Sequence, residues 1–336
     1  MYSASKMRTE KRRLTVYAVI IIIIIIASGV SSLLLQEKVA RSEAITAVGT
    51  SGDSLWIIEG NRVLRYSQKG AFMGEFVFNT DFNDVFAQSS VLFLYAHREN
   101  MVMAYDYFAR YKYSFPVSSA SAVYYDNGVF AVIDSKQKKI SLLSPVGKKL
   151  RDYSLEFEPS GIIWIDDVLY YAPFGKNKLV SVKNNKEIVV KGMPADYSIL
   201  RGYEFNNELY LIAAQRKGGS YYYSRFFKYS PDNELLHQSN KRYIYPITLS
   251  LAHNRIYIGS NLENSIDMYA LDGEYRGRFG DDKFINQHSK MYLHRTRYVV
   301  IVMIMNTVVV VSFFLSLYVF ILSNRLKKKE TRYVHE

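Results

Sequence analysis

Two long apolar runs bracket the chain. Leu14 to Leu35 is 22 residues without a charged side chain, and Tyr298 to Leu322 is 25 residues, also uncharged. A helix rises about 1.5 Å per residue, and the hydrocarbon core of a bilayer is about 30 Å thick. Each run is therefore long enough to span a membrane. Neither carries the polar stripe of a helix packed on a soluble core. The first run outlasts the roughly 7–15 apolar residues of a cleaved secretory signal, which predicts an uncleaved anchor.

Between the runs, short apolar segments alternate with Gly, Asn and Asp. Residues 45–78 read as four short strands joined by turns. The unit then returns. A polar turn followed by an aliphatic–aromatic pair opens a second strand at Leu55–Trp56, Leu92–Phe93, Val129–Phe130, Leu169–Tyr170, Leu209–Tyr210 and Ile256–Tyr257. The spacings are 37, 37, 40, 40 and 47 residues. Four strands repeated about every 40 residues is the signature of a propeller. The second strands are near-continuous apolar runs, as expected of strands covered on both faces by neighbouring sheets. A two-sheet sandwich also has short strands and close turns, but it does not require the pair to recur.

The predicted fold is all-β: a six-bladed β-propeller of four-stranded blades, flanked by two transmembrane α-helices. Its predicted boundaries are a tail over 1–13, a span over 14–35, a linker over 36–44, a propeller over 45–282, a linker over 283–297, a span over 298–322 and a tail over 323–336.

Charge orients the chain. Lys and Arg favour the cytoplasmic side of a span. The first tail carries Lys6, Arg8, Lys11, Arg12 and Arg13; the last carries Arg325, Lys327, Lys328, Lys329 and Arg332. Both tails are thus expected in the cytoplasm and the propeller outside. The tails hold 10 of the 43 basic and 3 of the 31 acidic residues, which leaves 33 against 28 in the rest of the chain. Much of the net +12 is therefore a topology signal, and nucleic acid is not an expected partner. The chain has no cysteine, and the outer region has no N-glycosylation acceptor. Together these read as a bacterial surface protein.

Residues 52–78, GDSLWIIEGNRVLRYSQKGAFMGEFVF, resemble an NHL repeat. The resemblance lies in the turn, the apolar–aromatic strand, Asn61-Arg62-Val63, the aromatic strand end, the Gly turn and the final Phe. Residues 252–280 are similar; the units between keep only the apolar skeleton. The resemblance implies a propeller that binds protein, glycan or RNA, with a minority of such folds being enzymes. It carries over no site residue.

In this fold the chain enters and leaves at the end that holds the turns between second and third strands. Those turns are mostly basic: Arg62, Arg98, Lys136, Lys138, Lys139, Lys176, Lys178, Arg216 and Lys217. They are candidates for contact with anionic membrane lipids. The opposite turns carry Asp53, Asp126, Asp166, Asp167 and Glu208. Tyr221, Tyr222 and Tyr223 follow a flexible Gly218-Gly219 in an insertion and are candidates for a protein or glycan partner. Ser28 and Asn306 lie at similar depth in the two spans and are candidates for a helix–helix hydrogen bond.

Catalytic motifs are missing. There is no G-x-S-x-G, H-E-x-x-H or P-loop. Ser135-x-x-Lys138 matches a short acylating pattern without its partners, and His97, His237 and His253 lack ligand spacing. No cofactor or metal is expected. The leading expectation is a non-enzymatic binding or scaffolding module, as accessory to a membrane complex or to envelope assembly. The alternative is a propeller hydrolase or lyase acting on a surface glycan or lactone, which convergent carboxylates at the channel mouth would favour.

Overall fold

In the computed structural model, residues 4–40, 44–88, 90–217, 220–244, 247–252 and 254–334 are described. The chain divides into two units: Glu43–Tyr292, and Met1–Ser42 together with Leu293–Glu336.

The second of these is helical. It holds α1 (Ala4–Ala40) and most of α2 (Asp282–Val334). Both helices contain stretches long and apolar enough to cross a membrane. Their less exposed positions recur every three or four residues: Ile21, Ile25, Ser28, Gly29 and Ser32 on α1, and Val302, Met305, Val309 and Ser312 on α2. Their other faces leave residues such as Ile23, Leu33 and Phe314 exposed, which suits lipid. Ser32 Oγ donates to Asn306 Oδ1 at 2.8 Å. Asn306 therefore meets Ser32 and not Ser28, one turn further along α1. The depth count went wrong because α2 starts well before its apolar run, so the end of that run does not mark a level.

The other unit is mostly β. One sheet comprises β1 (Ile45–Ser51), β2 (Ser54–Glu59), β3 (Arg62–Ser67) and β4 (Phe72–Val77). The next holds β5 (Asp84–Gln88), β6 (Val91–Ala96), β7 (Met101–Asp106) and β8 (Tyr111–Pro116). A third holds β9 (Ala122–Asp126), β10 (Val129–Asp134), β11 (Lys139–Leu143) and β12 (Lys149–Ser154). A nine-stranded sheet follows. Its members are β13 (Pro159–Ile165), β14 (Val168–Pro173), β15 (Lys178–Ser181), β16 (Glu187–Val189), β17 (Tyr197–Phe205), β18 (Glu208–Lys217), β19 (Ser220–Tyr229), β20 (Leu235–Gln238) and β21 (Tyr243–Ile244). The last sheet is β22 (Ile247–Ala252), β23 (Arg255–Ser260), β24 (Ser265–Ala270) and β25 (Tyr275–Arg278).

The arrangement is propeller-like. Each aliphatic–aromatic pair falls on a second strand: β2, β6, β10, β14, β18 and β23. These strands are buried on both faces; every residue of β2 is buried. The core lies between sheets as well as within them. Trp56 and Ile58 of β2 pack with Leu92 and Leu94 of β6, and Phe93 of β6 meets Phe130 of β10 edge-on at 5.0 Å.

First strands approach one another closely around a common axis. A Cβ on Gly49 of β1 would stand 2.7 Å from the Val85 carbonyl oxygen, and one on Gly161 of β13 would stand 2.1 Å from that of Leu200. Only glycine permits such an approach. At Gly161 the two strands come so near that β13 and β17 pair in parallel, through Ile162 and Arg201. This single pair fuses a four-stranded group, β13–β16, and a five-stranded group, β17–β21, into the nine-stranded sheet. Bulges beside Thr46 and Ser160 aim their hydroxyls at the neighbouring first strand. Thr46 donates to the Phe82 carbonyl at 3.2 Å, and Ser160 to that of Ile199 at 2.7 Å.

The ring closes where β1 meets β22. Each sheet is built from its own consecutive strands, so no exchanged strand ties the first to the last. The start of α2 takes that role. The expected linker over 283–297 is helical, and its first turns carry Phe284, Ile285 and His288 into the cluster that holds Ile45, Tyr66 and Phe279. His288 is hydrogen-bonded through Nε2 to the fully buried Glu59 of β2 and through Nδ1 to the Phe284 carbonyl. Asn264, in the β23–β24 turn, accepts from the Ile45 N–H at 3.0 Å and donates to the His288 carbonyl at 3.4 Å. One side chain thus holds the first residue of β1 and the outgoing helix together. Both lie at the end of the sheets that carries the β2–β3 turn.

Tyrosine supplies much of the interior. Tyr210, Tyr229, Tyr243 and Tyr257 are fully buried. Tyr243 OH pairs with Tyr269 OH at 2.6 Å and with Asp267 Oδ2 at 2.8 Å. Burial, with help from Glu59, pushes the Tyr66 phenol up to about 12; burial, with help from Asp84, does the same for Tyr95.

Two outcomes follow. His288→Ala leaves the buried Glu59 with Arg62, 3.5 Å away, as its remaining charged partner and is expected to cost about 2–3 kcal/mol, while Asn264→Ala costs about 1–2 kcal/mol; urea unfolding of the detergent-solubilised chain reads both. An unfolded tyrosine ionises near pH 10. Because the folded pKa values are raised, their contribution to stability is intact below about pH 10 and lost as pH rises towards about 12. The share of tyrosinate absorbance contributed by Tyr66 and Tyr95, read as the difference from their Phe variants, is therefore expected to appear together with loss of structure, and not before it.

Candidate functional site

The axis of the ring is blocked midway by an ion pair. Arg201 of β17 reaches Asp84 of β5, with Nη2 3.1 Å from Oδ2. Its guanidinium carbon lies 5.1 Å from the ring centre of Tyr124, 5.8 Å from Phe86 and 5.9 Å from Tyr203. Asp84 also accepts from the Val85 N–H at 2.9 Å. Burial pulls the Arg201 guanidinium down, but the Asp84 carboxylate and the two tyrosines hold it above its ordinary value. Burial in turn raises the Asp84 carboxyl, against the pull of Arg201. Tyr124 OH donates to the Leu200 carbonyl and Tyr203 OH to that of Leu249, which fixes the rings around the pair.

The pair leaves two cups that share no lining residue. The cup at the β2–β3 end has a volume of about 300 Å³ and is lined by Asn83, Asp84, Tyr95, His97, Tyr124 and Arg201. The cup at the β1–β2 end has a volume of about 310 Å³. It is lined by first strands and their turns, with Thr50, Gln88, Tyr125, Asp126, Asn127, Glu204 and Ser250 among them. Asn127 and Gly128 both take positive φ, 46° and 77°. That makes the tight hairpin turn that presents Asp126 and Asn127 at the rim. Tyr125 OH donates to Gln88 Oε1, and Asn127 Nδ2 to Asp167 Oδ1 at 3.2 Å. Thr50 and Ser250 hydroxyls meet at 2.9 Å across the β1–β22 seam. Burial raises the Asp126 carboxyl, and the nearby Asp167 adds to the effect.

Neither Arg201 nor Asp84 stood out in the sequence. A lone Arg between Leu200 and Gly202 has no motif; only its charge inside an apolar strand marks it. Glu59, Asn264 and His288 were also overlooked, since their partners are far along the chain.

The sequence-predicted candidates are dispersed. Arg62, Arg98, Lys136, Lys138, Lys139, Lys176, Lys178, Arg216 and Lys217 all lie at the β2–β3 end. Several have acidic or carbonyl partners there: Arg62 with Glu75, Arg98 with Asp81, Lys139 with Asp152, Lys178 with Glu187, and Lys138 with the Glu156 carbonyl. The insertion holding Tyr221, Tyr222 and Tyr223 is not a loose loop. It is an extension of the β18–β19 hairpin, paired almost to its tip: the strand-favouring Tyr221, Tyr222 and Tyr223 continue β19, and Arg216 and Lys217 of β18 pair Tyr221 and Ser220. Gly218 and Gly219 lie outside the described residues. Ser135 and Lys138 do not form a catalytic pair: Ser135 Oγ bonds Ser121 Oγ and the Pro159 carbonyl. His97 is hydrogen-bonded to Tyr95 OH, His237 packs against Phe226, and His253 lies outside the described residues. Among the described residues, no group of three or more His, Asp or Glu side chains is placed to hold a metal.

No known family matches the chain, and no curated protein matches it. Solved structures do share its strand arrangement. Streptogramin B lyase is 12% identical, with 72% of this chain and 84% of that one covered at a TM-score of 0.48. BamB from Moraxella catarrhalis is 12% identical, with 70% of this chain and 74% of that one covered at a TM-score of 0.37. PorZ, a surface component of the type-IX secretion system of Porphyromonas gingivalis, is 9% identical, covering 70% and 38% at 0.46. These likenesses concern strand arrangement and carry no functional argument.

If the ion pair is the plug, a double-mutant cycle will show it. Arg201→Met and Asp84→Leu are each expected to cost about 3–5 kcal/mol by stranding the other charge, and the double variant to recover most of that loss. Additive losses in urea unfolding would contradict it.

Proposed function

We propose that this protein is a two-pass membrane protein that displays a six-bladed, NHL-like propeller outside the cytoplasm as a binding or scaffolding module. The six-blade reading counts the nine-stranded sheet as two blades joined by the single β13–β17 pair. The basic tails at both ends support a cytoplasmic placement of the termini.

One observation carries the binding role: a blocked channel whose β1–β2 end is an open polar cup. Its tyrosine rings, carboxylates, amides and hydroxyls converge from strands far apart in sequence. A few placed polar groups beside aromatic rings are what a glycan or a polar protein loop requires. The plug makes the cup blind, so it receives a ligand and does not conduct one.

A second reading rests on Asp126 and Glu204. They bring two carboxylates to one cup, and the raised pKa of Asp126 suits a proton donor in a glycan hydrolase or lyase.

The test is an array of bacterial surface oligosaccharides probed with the full chain in mild detergent. At least one class is expected to be retained, and retention is expected to fall tenfold or more in Tyr125→Ala with Asp126→Asn. Cleavage of a retained glycan by the parent but not by Asp126→Asn selects the enzymatic reading. Retention that is unaffected by these changes removes the cup from the account.

A further inference from the structure

The end of the sheets where β1 begins and α2 departs is not uniformly charged. Asp81, Glu99, Glu156, Asp196 and Glu263 stand among its basic turns. One place on it differs from the rest. The β18–β19 hairpin runs well past the neighbouring strand. Ile162 is the common level, pairing Tyr171 of β14 on one side and Arg201, opposite Ile212 of β18, on the other. From that level β14 continues two residues to Pro173, and β18 five residues to Lys217. The excess of three residues is about 10 Å of strand.

The projecting part combines exposed rings with cations. Tyr222 is 50% exposed, Tyr223 39%, Phe174 38% and Ile244 44%. The Phe174 and Tyr221 rings meet edge-on at 5.9 Å. The Arg216 guanidinium lies 5.5 Å from the Phe174 ring centre, and Lys217 Nζ lies 5.8 Å from that of Tyr222. The carboxylate of Asp196 accepts from Gln215 Nε2 at 2.6 Å. The hairpin is held stiff: β21 pairs Ile244 with Tyr223 and Tyr243 with Ser224, and Arg216 donates to the Gly175 and Ala195 carbonyls. Tyrosines beside an aliphatic side chain and flanking cations are the composition of a membrane–water interface, where rings sit at headgroup depth and cations meet anionic lipid.

We propose that the tip of the β18–β19 hairpin is a bilayer-contact element that seats Tyr222, Tyr223 and Ile244 among the headgroups, with Arg216 and Lys217 on anionic lipid. The proposal rests on the reading that the two apolar helices span the membrane. Attachment to the bilayer keeps lipid at high effective concentration, so a small surface suffices. Of the basic turns, it selects the hairpin, because there the charge stands beside exposed apolar area.

The chain has no cysteine, so single labels are clean. The full chain is reconstituted in phosphatidylcholine vesicles with and without phosphatidylglycerol, and a fluorophore is placed at Tyr222→Cys, at Lys183→Cys in the β15–β16 turn of the opposite end, or at Ile26→Cys in α1. Lipids spin-labelled at the headgroup quench it. Quenching at 222 is expected to exceed that at 183 several-fold and to deepen with phosphatidylglycerol. Arg216→Gln with Lys217→Gln is expected to remove that deepening, since each near-surface charge is worth about fivefold in association. A label at 222 quenched no more than at 183, or equally in both lipids, overturns the proposal. The label at 26, read with an acyl-chain quencher, separates the two readings: if 26 is quenched and 222 is not, the spans stand and the hairpin contact falls.

Discussion

A ring of sheets is only as sound as its last joint. Here that joint is the seam between β1 and β22, and no strand crosses it. The start of α2 does the joining, with Phe284 entering the core beneath β1 and β2 and His288 meeting Glu59. Asn264 secures both ends of the chain at once. A buried carboxylate without a partner is costly, and Glu59 is held by His288 together with Arg62. The latch also fixes where the chain comes and goes. Ile45 and His288 are held at one end of the sheets.

The same economy governs the axis. First strands come close enough that Gly49 and Gly161 admit no side chain. What remains between them is narrow, and Arg201 stands in it beside a small cavity of about 90 Å³. Its pairing with Asp84, and the rings of Tyr124 and Tyr203 around it, turn a channel into a floor. The polar residues above that floor then form a site and not a passage. Packing and function meet in these residues: the tyrosines around the pair also tie first strands together through their hydroxyls, β9 to β17 and β17 to β22.

Local patterns were legible in the sequence and distant partnerships were not. The aliphatic–aromatic pairs located the second strands because burial on both faces leaves a run of apolar residues, and these runs recur at blade spacing. The two apolar helices were equally plain. The helical start of α2 was hidden because its buried residues, Phe284 and His288, lie one turn apart among Lys283, Asn286 and Gln287, so the segment reads as polar. The hairpin of β18 and β19 was hidden by Gly218-Gly219, which marks a turn but gives no length for the strands beside it. Arg201 and Asp84 stand 117 positions apart, and no local pattern connects them. Ser32 was passed over for Ser28 because depth was counted along the sequence while the contact is set by the crossing of two helices.

Closure of the ring is the claim on which the cup, the latch and the shared end all rest. Thr50 of β1 and Ser250 of β22 face each other across the seam with their hydroxyl oxygens 2.9 Å apart, and the chain has no cysteine to compete. Under mild oxidation, Thr50→Cys with Ser250→Cys in the full chain is predicted to form an intramolecular disulfide nearly completely, with the fold retained. Free thiols at both positions in a folded chain would show that β1 and β22 are not neighbours, and the closed ring would be wrong.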